Sequence, residues 1–336
     1  MNSLSFLLAT VMLPHVVDAP TPLSYLTGHG TKAAPVVALT WGLIVISTMV
    51  TFIVAGLVVW GIARRGVPYA GGMTRVPVTP GPRGGLWVIT AVSISAVVLL
   101  GSLVWSVIVL ANVDGSHLSP AMTIDVTGQQ WWWKATYLNN DPARQLTTAN
   151  EIHIPVGKPI RVRLMSPDVI HSFWVPALSG KEELIPGHTN VTWLEADHPG
   201  VYVGQCTEFC GDQHAHMGFL IVAQSPADFD KWLNAQLQPA LAPQGKEALQ
   251  DEKEFVFHCG TCHTVRGTGA GGVVAPDLTH LMSRRMLAAD TLTNTPANLI
   301  GWISDPQAMK PGTKMPVLYL SGDELNDIQS YVRTLK

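Results

Sequence analysis

From residue 36 to residue 63 the chain runs 28 positions without a charge, and from 84 to 113 another 30. Each run exceeds the roughly 20 apolar residues a helix needs to cross a bilayer, so two membrane-spanning helices are predicted. Beyond Asp114 the pattern changes. Short β-rich runs at 122–126, 151–156, 160–164 and 191–195 are separated by Pro, Gly and Asn-Asn turns, which predicts a β-sandwich. From Pro226 a helical stretch with Phe229 and Trp232 leads into Gln236-Leu-Gln-Pro-Ala-Leu-Ala-Pro-Gln-Gly245, a Pro- and Ala-rich composition suited to a linker. Near the C-terminus Ser321 and Glu324 form an S-x-x-E capping box. Leu325, Ile328, Val332 and Leu335 then recur at helical spacing, predicting a closing helix with one apolar face. The expected organisation is a segment 1–35, a membrane hairpin 36–113, a sandwich 114–225, a linker 226–245 and a helical domain 246–336.

Composition sharpens this division. Charged residues make up 13% of the 336 positions, about half the usual share, and the deficit lies at the N-terminal end. The connector between the two apolar runs holds Arg64, Arg65, Arg75 and Arg83 and no acidic residue. The positive-inside bias therefore puts it in the cytoplasm and both termini outside. Residues 4–13 resemble a short signal h-region without a positive n-region, and cleavage is left open. Residues 114–243 carry 7 Lys and Arg against 13 Asp and Glu, whereas 246–336 carry 9 against 10. The sandwich is the acidic part, which would either steer a basic partner or serve as ordinary solvated surface.

The candidate chemistry sits in two motifs. Cys206-Thr-Glu-Phe-Cys210-Gly-Asp-Gln-His214-Ala-His-Met217 gathers two thiols, an imidazole and a thioether in twelve residues, a soft ligand set suited to copper. Two thiolates on one loop can bridge a pair of copper ions, and His171 is the candidate second imidazole. A small-loop disulfide with Met217 as core filling is the competing reading. The second motif, Cys259-Gly-Thr-Cys262-His263, is the c-type haem attachment sequence: two thiols form thioethers and the adjacent imidazole ligates iron. With all four cysteines in such motifs, no disulfide framework remains. The sixth iron ligand is expected to be a Met, which raises the potential; Met315 and Met309 are the near choices. His188, His198, His216, His258 and His280 are expected in surface or packing roles.

The Cys206–Met217 spacing resembles the dinuclear copper A loop of cytochrome c oxidase subunit II. The order of hairpin, sandwich and C-terminal cytochrome is similar to subunit II of the caa type. That resemblance implies a Greek-key cupredoxin sandwich and an all-α class I cytochrome c domain. It implies copper A ligands at His171, Cys206, Cys210, His214, Met217 and the carbonyl of Glu208, and a magnesium ion held by the Glu208 side chain against subunit I. Ala275-Pro-Asp-Leu278 is similar to the segment whose Pro carbonyl accepts a hydrogen bond from the haem-ligating imidazole, and Lys314-Met315-Pro316 to the axial-Met strand. Gly128-Gln-Gln-Trp131-Trp-Trp133 resembles the segment through which electrons enter copper A, with Trp131 as the port.

The same resemblance implies a respiratory electron-transfer subunit in a bacterial inner membrane, with the copper and haem domains on the outer side. Its partners would be subunit I, which reduces oxygen with proton pumping, and subunit III. The electron donor would be cytochrome c or a quinol-oxidising complex; no nucleic acid is expected. One departure concerns protons, since Gly84 stands where many relatives carry a Glu three residues before Trp87. The alternatives are the input subunit of a copper A nitric oxide reductase and a stand-alone membrane-anchored electron shuttle. The hairpin, two spans where one would anchor, favours packing against a larger subunit.

Overall fold

The computed structural model describes residues 23–63, 84–115 and 119–336. The connector arginines 64, 65, 75 and 83 and the apolar run 4–13 lie outside the described residues. Helices α1 (Ala33–Ala63) and α2 (Gly84–Val113) coincide with the two uncharged runs. Each is long and apolar enough to cross a membrane, with a mean hydropathy of 2.5, and nearly all of their side chains face outward. They pair where the Trp105 ring lies over Gly42, a position where any Cβ would collide with it.

Both helices are fastened to the sandwich at the same end. Just before α1, His29 N–H donates to Ala177 O at 2.7 Å and His29 O accepts from Asp197 N–H at 2.9 Å. Lys32 Nζ reaches Thr192 Oγ1 at 2.7 Å. At the end of α2, Val113 O accepts from Trp193 Nε1 at 3.0 Å.

The sandwich consists of β1 (Met122–Gln129), β2 (Trp132–Tyr137), β3 (Leu146–Ala149), β4 (Glu151–Pro155), β5 (Ile160–Met165), β6 (His171–Trp174), β7 (Glu182–Leu184), β8 (Asn190–Leu194), β9 (Gly200–Cys206) and β10 (Gly218–Gln224). One sheet has the order β3-β2-β1-β5-β8 and the other β4-β10-β9-β6-β7. Pairing is antiparallel except for β1 with β5 and β4 with β10. Period-two alternation turns Ile124 and Val126 of β1, and Trp133, Ala135 and Tyr137 of β2, into the core between the sheets. Helix α3 (Pro226–Gln236) closes one side, with Trp232 stacked on His153 at 4.0 Å and tilted against Tyr137 at 5.5 Å.

Residues 246–336 form helix α4 (Lys246–Cys259), the hairpin β11 (Met286–Leu287) and β12 (Leu292–Thr293), and helices α5 (Pro296–Ser304), α6 (Pro306–Met309) and α7 (Gly322–Val332). The expected capping box starts α7: Ser321 N–H donates to Glu324 Oε2 at 2.7 Å, and Glu324 N–H donates to Ser321 Oγ. Ile328 and Val332 are buried, and α7 packs on α4 through Phe255 and Tyr331, whose rings lie 5.1 Å apart.

This unit sits on the sandwich. Strand β10, Gly-Phe-Leu-Ile-Val-Ala-Gln, is buried at six successive positions rather than alternating. Its outward-facing Leu220 and Val222, with Val201 of β9, are covered by Met286 of β11. Each aliphatic side chain buried this way contributes roughly 1.5–3 kcal/mol.

Candidate metal and haem sites

The copper-type ligands come from the ends of three adjacent strands and from the loop joining two of them. His171 opens β6, Cys206 closes β9, and Met217 immediately precedes β10. Pairing of Phe173 with Cys206 aligns β6 with β9, and Cys206 N–H donates to Met217 O at 3.1 Å. Between Cys206 and Met217 the loop turns back through Gly211, whose φ of +113° favours glycine. A Cβ there would also lie 3.0 Å from Trp131, so any other residue would crowd the indole that packs on the loop.

These elements bring all the expected copper donors together. The two sulfurs lie 3.8 Å apart as free thiols. His171 Nδ1 is 4.0 Å from Cys206 Sγ, and His214 Nδ1 is 3.6 Å from Cys210 Sγ. Met217 Sδ is 3.8 Å from Cys210 Sγ, and Glu208 O is 3.3 Å from Cys206 Sγ. His171, Cys206 and Cys210 are all buried. With two thiols, two imidazoles, a thioether and a carbonyl facing one small space, the residues fit a thiolate-bridged copper pair in their donor chemistry.

Electrostatics prepares the set. The bond between the Cys206 and Cys210 sulfurs, aided by His171 and against the opposing effect of burial, holds the Cys206 thiol well below its usual range. The pair thus gives up its first proton readily while holding the second. His171 Nε2 bonds Asp168 Oδ1 at 2.9 Å, which leaves Nδ1 directed at the sulfurs. Burial pulls the His171 pKa down, but the bonds to Cys206 and Asp168 outweigh it and raise it. Asp168 is itself held below the usual carboxylate range, despite burial, by Gln130 N–H at 2.8 Å and by His171.

The second site is a cavity of about 350 Å³ lined by Cys259, Cys262, His263 and Met315, with Leu278, Leu299, Trp302 and Ile328 among its apolar walls. His263 Nδ1 bonds Pro276 O at 2.8 Å, which turns Nε2 to the cavity, and burial lowers its pKa, keeping the ring neutral for a metal. Met315 lines the cavity, whereas Met309 packs over Gly301, where any Cβ would strike its methyl. The buried Arg284 guanidinium, beside the cavity, donates to Asp277 O, and its Nε has no partner. Two thiols, an imidazole and a thioether around a mostly apolar cavity fit a haem in their donor chemistry.

The cavity wall is completed by the sandwich, through residues 129–132 and Asn150. Trp131 therefore faces both sites. It lines the haem-type cavity, and its Nε1 donates to Cys210 O at 3.0 Å, beside Gln130 Nε2 at 2.8 Å on the same carbonyl. Trp133 is core: fully buried, it packs on Phe219 at 5.0 Å and donates to Met217 O at 3.2 Å. Glu208 is not among the described three-residue clusters of metal-binding side chains.

The histidines outside the motifs have other partners. His280 is buried between Lys336 O and Gln238 O, and His216 bonds Gln213. His258 lies between Glu254 and Glu324, and His198 O accepts from Tyr202. Three contributors had no role expected from the sequence: Gln130, Gln213, whose Nε2 donates to Pro311 O at 2.7 Å, and the buried Lys310. Only their spatial neighbours reveal them.

Residues 135–225 match the family described as "Cytochrome C oxidase subunit II, periplasmic domain", and residues 242–336 match "Cytochrome c". Cytochrome c oxidase subunit 2 of Alkalihalophilus pseudofirmus is 39% identical over 220 residues, 63% of this chain and 61% of that protein. The chain thus spans about three fifths of that relative's length. The subunit 2 of Artemia franciscana is 37% identical over 161 residues, 43% of this chain and 70% of that protein. Among solved structures, the periplasmic domain of subunit II of cytochrome oxidase of Bradyrhizobium japonicum is 33% identical, covering 35% of this chain and 95% of that one, with a TM-score of 0.33.

Proposed function

Because the chain belongs to the cytochrome c oxidase subunit II family, we propose that it is the electron-input subunit of a membrane-bound haem-copper oxidase. In this reading electrons pass from an external donor, by way of a haem on Cys259 and Cys262 and a copper pair on the Cys206–Met217 loop, to subunit I, which reduces oxygen. The observation that carries it is the double engagement of Trp131, which walls the haem-type cavity and hydrogen-bonds the carbonyl of Cys210. When bound, the haem and the copper pair each supply a centre that accepts and releases one electron.

The chain's own residues do the positioning. His171, Cys206, Cys210, His214, Met217 and the Glu208 carbonyl would hold the copper pair; strand ends and the bonds of Gln130 and Trp131 to Cys210 O keep those donors from reorganising. Asp168 fixes the His171 tautomer. His263 and Met315 would ligate the haem iron, and Pro276 orients the His263 ring. Carboxylate oxygen suits a hard cation, so Glu208 would contribute to a magnesium site completed by subunit I. The apolar hairpin would anchor the chain in a bacterial inner membrane, with the arginine connector inside and both redox domains outside.

The test is purification of the native complex with optical and paramagnetic-resonance spectra and an oxygen electrode. One c-type haem, a two-copper signal and oxygen uptake are expected. Nitric oxide consumption instead would assign the chain to a nitric oxide reductase, and a purified chain without a catalytic subunit would make it a free-standing shuttle.

A further inference from the structure

Lys310 follows the four-residue helix α6 and is 2% exposed, the only lysine among the described residues that is buried to this degree. Taking an ammonium out of water is costly unless each N–H finds an acceptor. Here all three do. Nζ donates to Trp131 O at 2.8 Å, to His216 O at 2.7 Å and to Ala288 O at 2.9 Å. The three carbonyls belong to three separate segments: the peptide of the tryptophan shared by both sites, the copper-type loop between His214 and Met217, and the haem-domain hairpin.

Neighbouring contacts make the same join. Gln213 Nε2 donates to Pro311 O at 2.7 Å, and Gly218 N–H donates to Ala289 O at 3.1 Å. A Cβ at Gly312 would lie 3.4 Å from Asp212 and 3.9 Å from Trp131. Lys314 Nζ approaches Asp168, the residue that orients His171, at 3.5 Å. One short run, 310–315, thus grips the copper-type loop at its start and carries Met315 into the haem-type cavity at its end.

We propose that Lys310 is a positioning residue that latches the haem domain onto the copper loop in a single orientation for electron transfer. The inference rests on the relay reading above and goes beyond it: tethering alone would leave the domain to search for its docking site, whereas the latch removes the search. An apolar side chain could fill the same space, but only three directed N–H groups fix the register of three segments at once.

The experiment uses the native purified complex and Lys310→Met, which keeps the length and removes the donors. A photochemical pulse reduces the haem, and the copper band reports transfer at several solvent viscosities. In the native complex transfer should be independent of viscosity. In Lys310→Met, with haem and copper spectra retained, it should slow on the order of tenfold or more and become viscosity-dependent, because orientation must then be found by diffusion. Amide exchange in residues 128–133 should rise in the same variant. Equal rates in both proteins, without viscosity dependence, would overturn the latch.

The native measurement decides the matter even where Lys310→Met does not assemble. Transfer that is already viscosity-limited in the native complex removes the latch and leaves the relay standing. No haem-to-copper transfer at all removes both.

Discussion

The two redox domains solve the problem of holding a cofactor in opposite ways. In the sandwich each copper-type donor lies 3.3–4.0 Å from one of the two sulfurs, at strand ends and on the loop between them, above a core of two dozen other buried apolar residues. In the haem domain the buried apolar residues are fewer and surround a cavity of about 350 Å³. The copper-type donors are therefore preorganised by the fold, while a haem would be part of the core it completes. Loss of metal should cost the first domain its chemistry, and loss of haem should cost the second its structure.

The largest effect should follow from Cys259→Ser combined with Cys262→Ser. Neither thiol is fully buried, so the substitutions themselves remove little packing, yet without attached haem residues 246–336 should lose cooperative folding. Limited proteolysis should then degrade this region and spare the sandwich. A haem-free domain that remained protease-resistant would break the contrast.

Next, Cys206→Ser should abolish the two-copper signal and transfer to it. The metal-free sandwich should nevertheless melt within a few degrees of the metal-free parent, as calorimetry would show. A collapse of the sandwich would mean that its ligands are not held by strands alone.

A smaller effect is expected for Trp131→Phe, which keeps a ring on the cavity wall and removes the N–H to Cys210 O. Haem-to-copper transfer should slow on the order of tenfold, and stability should fall by about 1 kcal/mol, the usual worth of one such bond.

The smallest effect concerns pH. Asp290 lies at the seam between the domains beside Gly218, and burial, with repulsion from Glu151, raises its pKa to about 6. Its contribution to stability is present below the ordinary aspartate range and is lost as pH rises through about 6, because the charge must then form while buried. Asp290→Asn should thus raise the melting temperature above pH 6 by a few degrees. That advantage should disappear below the ordinary aspartate range in a series of melts across pH.

Much of this was legible in the chain because it is encoded locally. The hairpin follows from uncharged runs, the closing helix from its capping box, and the copper donors from spacing within twelve residues. His171 lies farther off, but the pairing of β6 with β9 brings it in. Lys310 could not be found this way: its partners Trp131 and His216 lie 179 and 94 positions away, and no short-range pattern distinguishes a buried lysine from a solvated one. Strand β10 gives a related lesson. Its uninterrupted apolar run has a physical cause in the second domain, since the outer face of a sandwich strand stays apolar only where something covers it.

The stitching of α1 and α2 to the sandwich, through His29, Lys32 and Val113, has a mechanical corollary. Helices clamped at their sandwich-side ends act as rigid struts, so in a membrane the altitude and azimuth of the copper-type loop would be set by the protein rather than by a slack stalk. One residue inserted into either strut would lift its far end by about 1.5 Å and swing it by roughly 100°, turning a small change in length into a misaimed outlet for electrons.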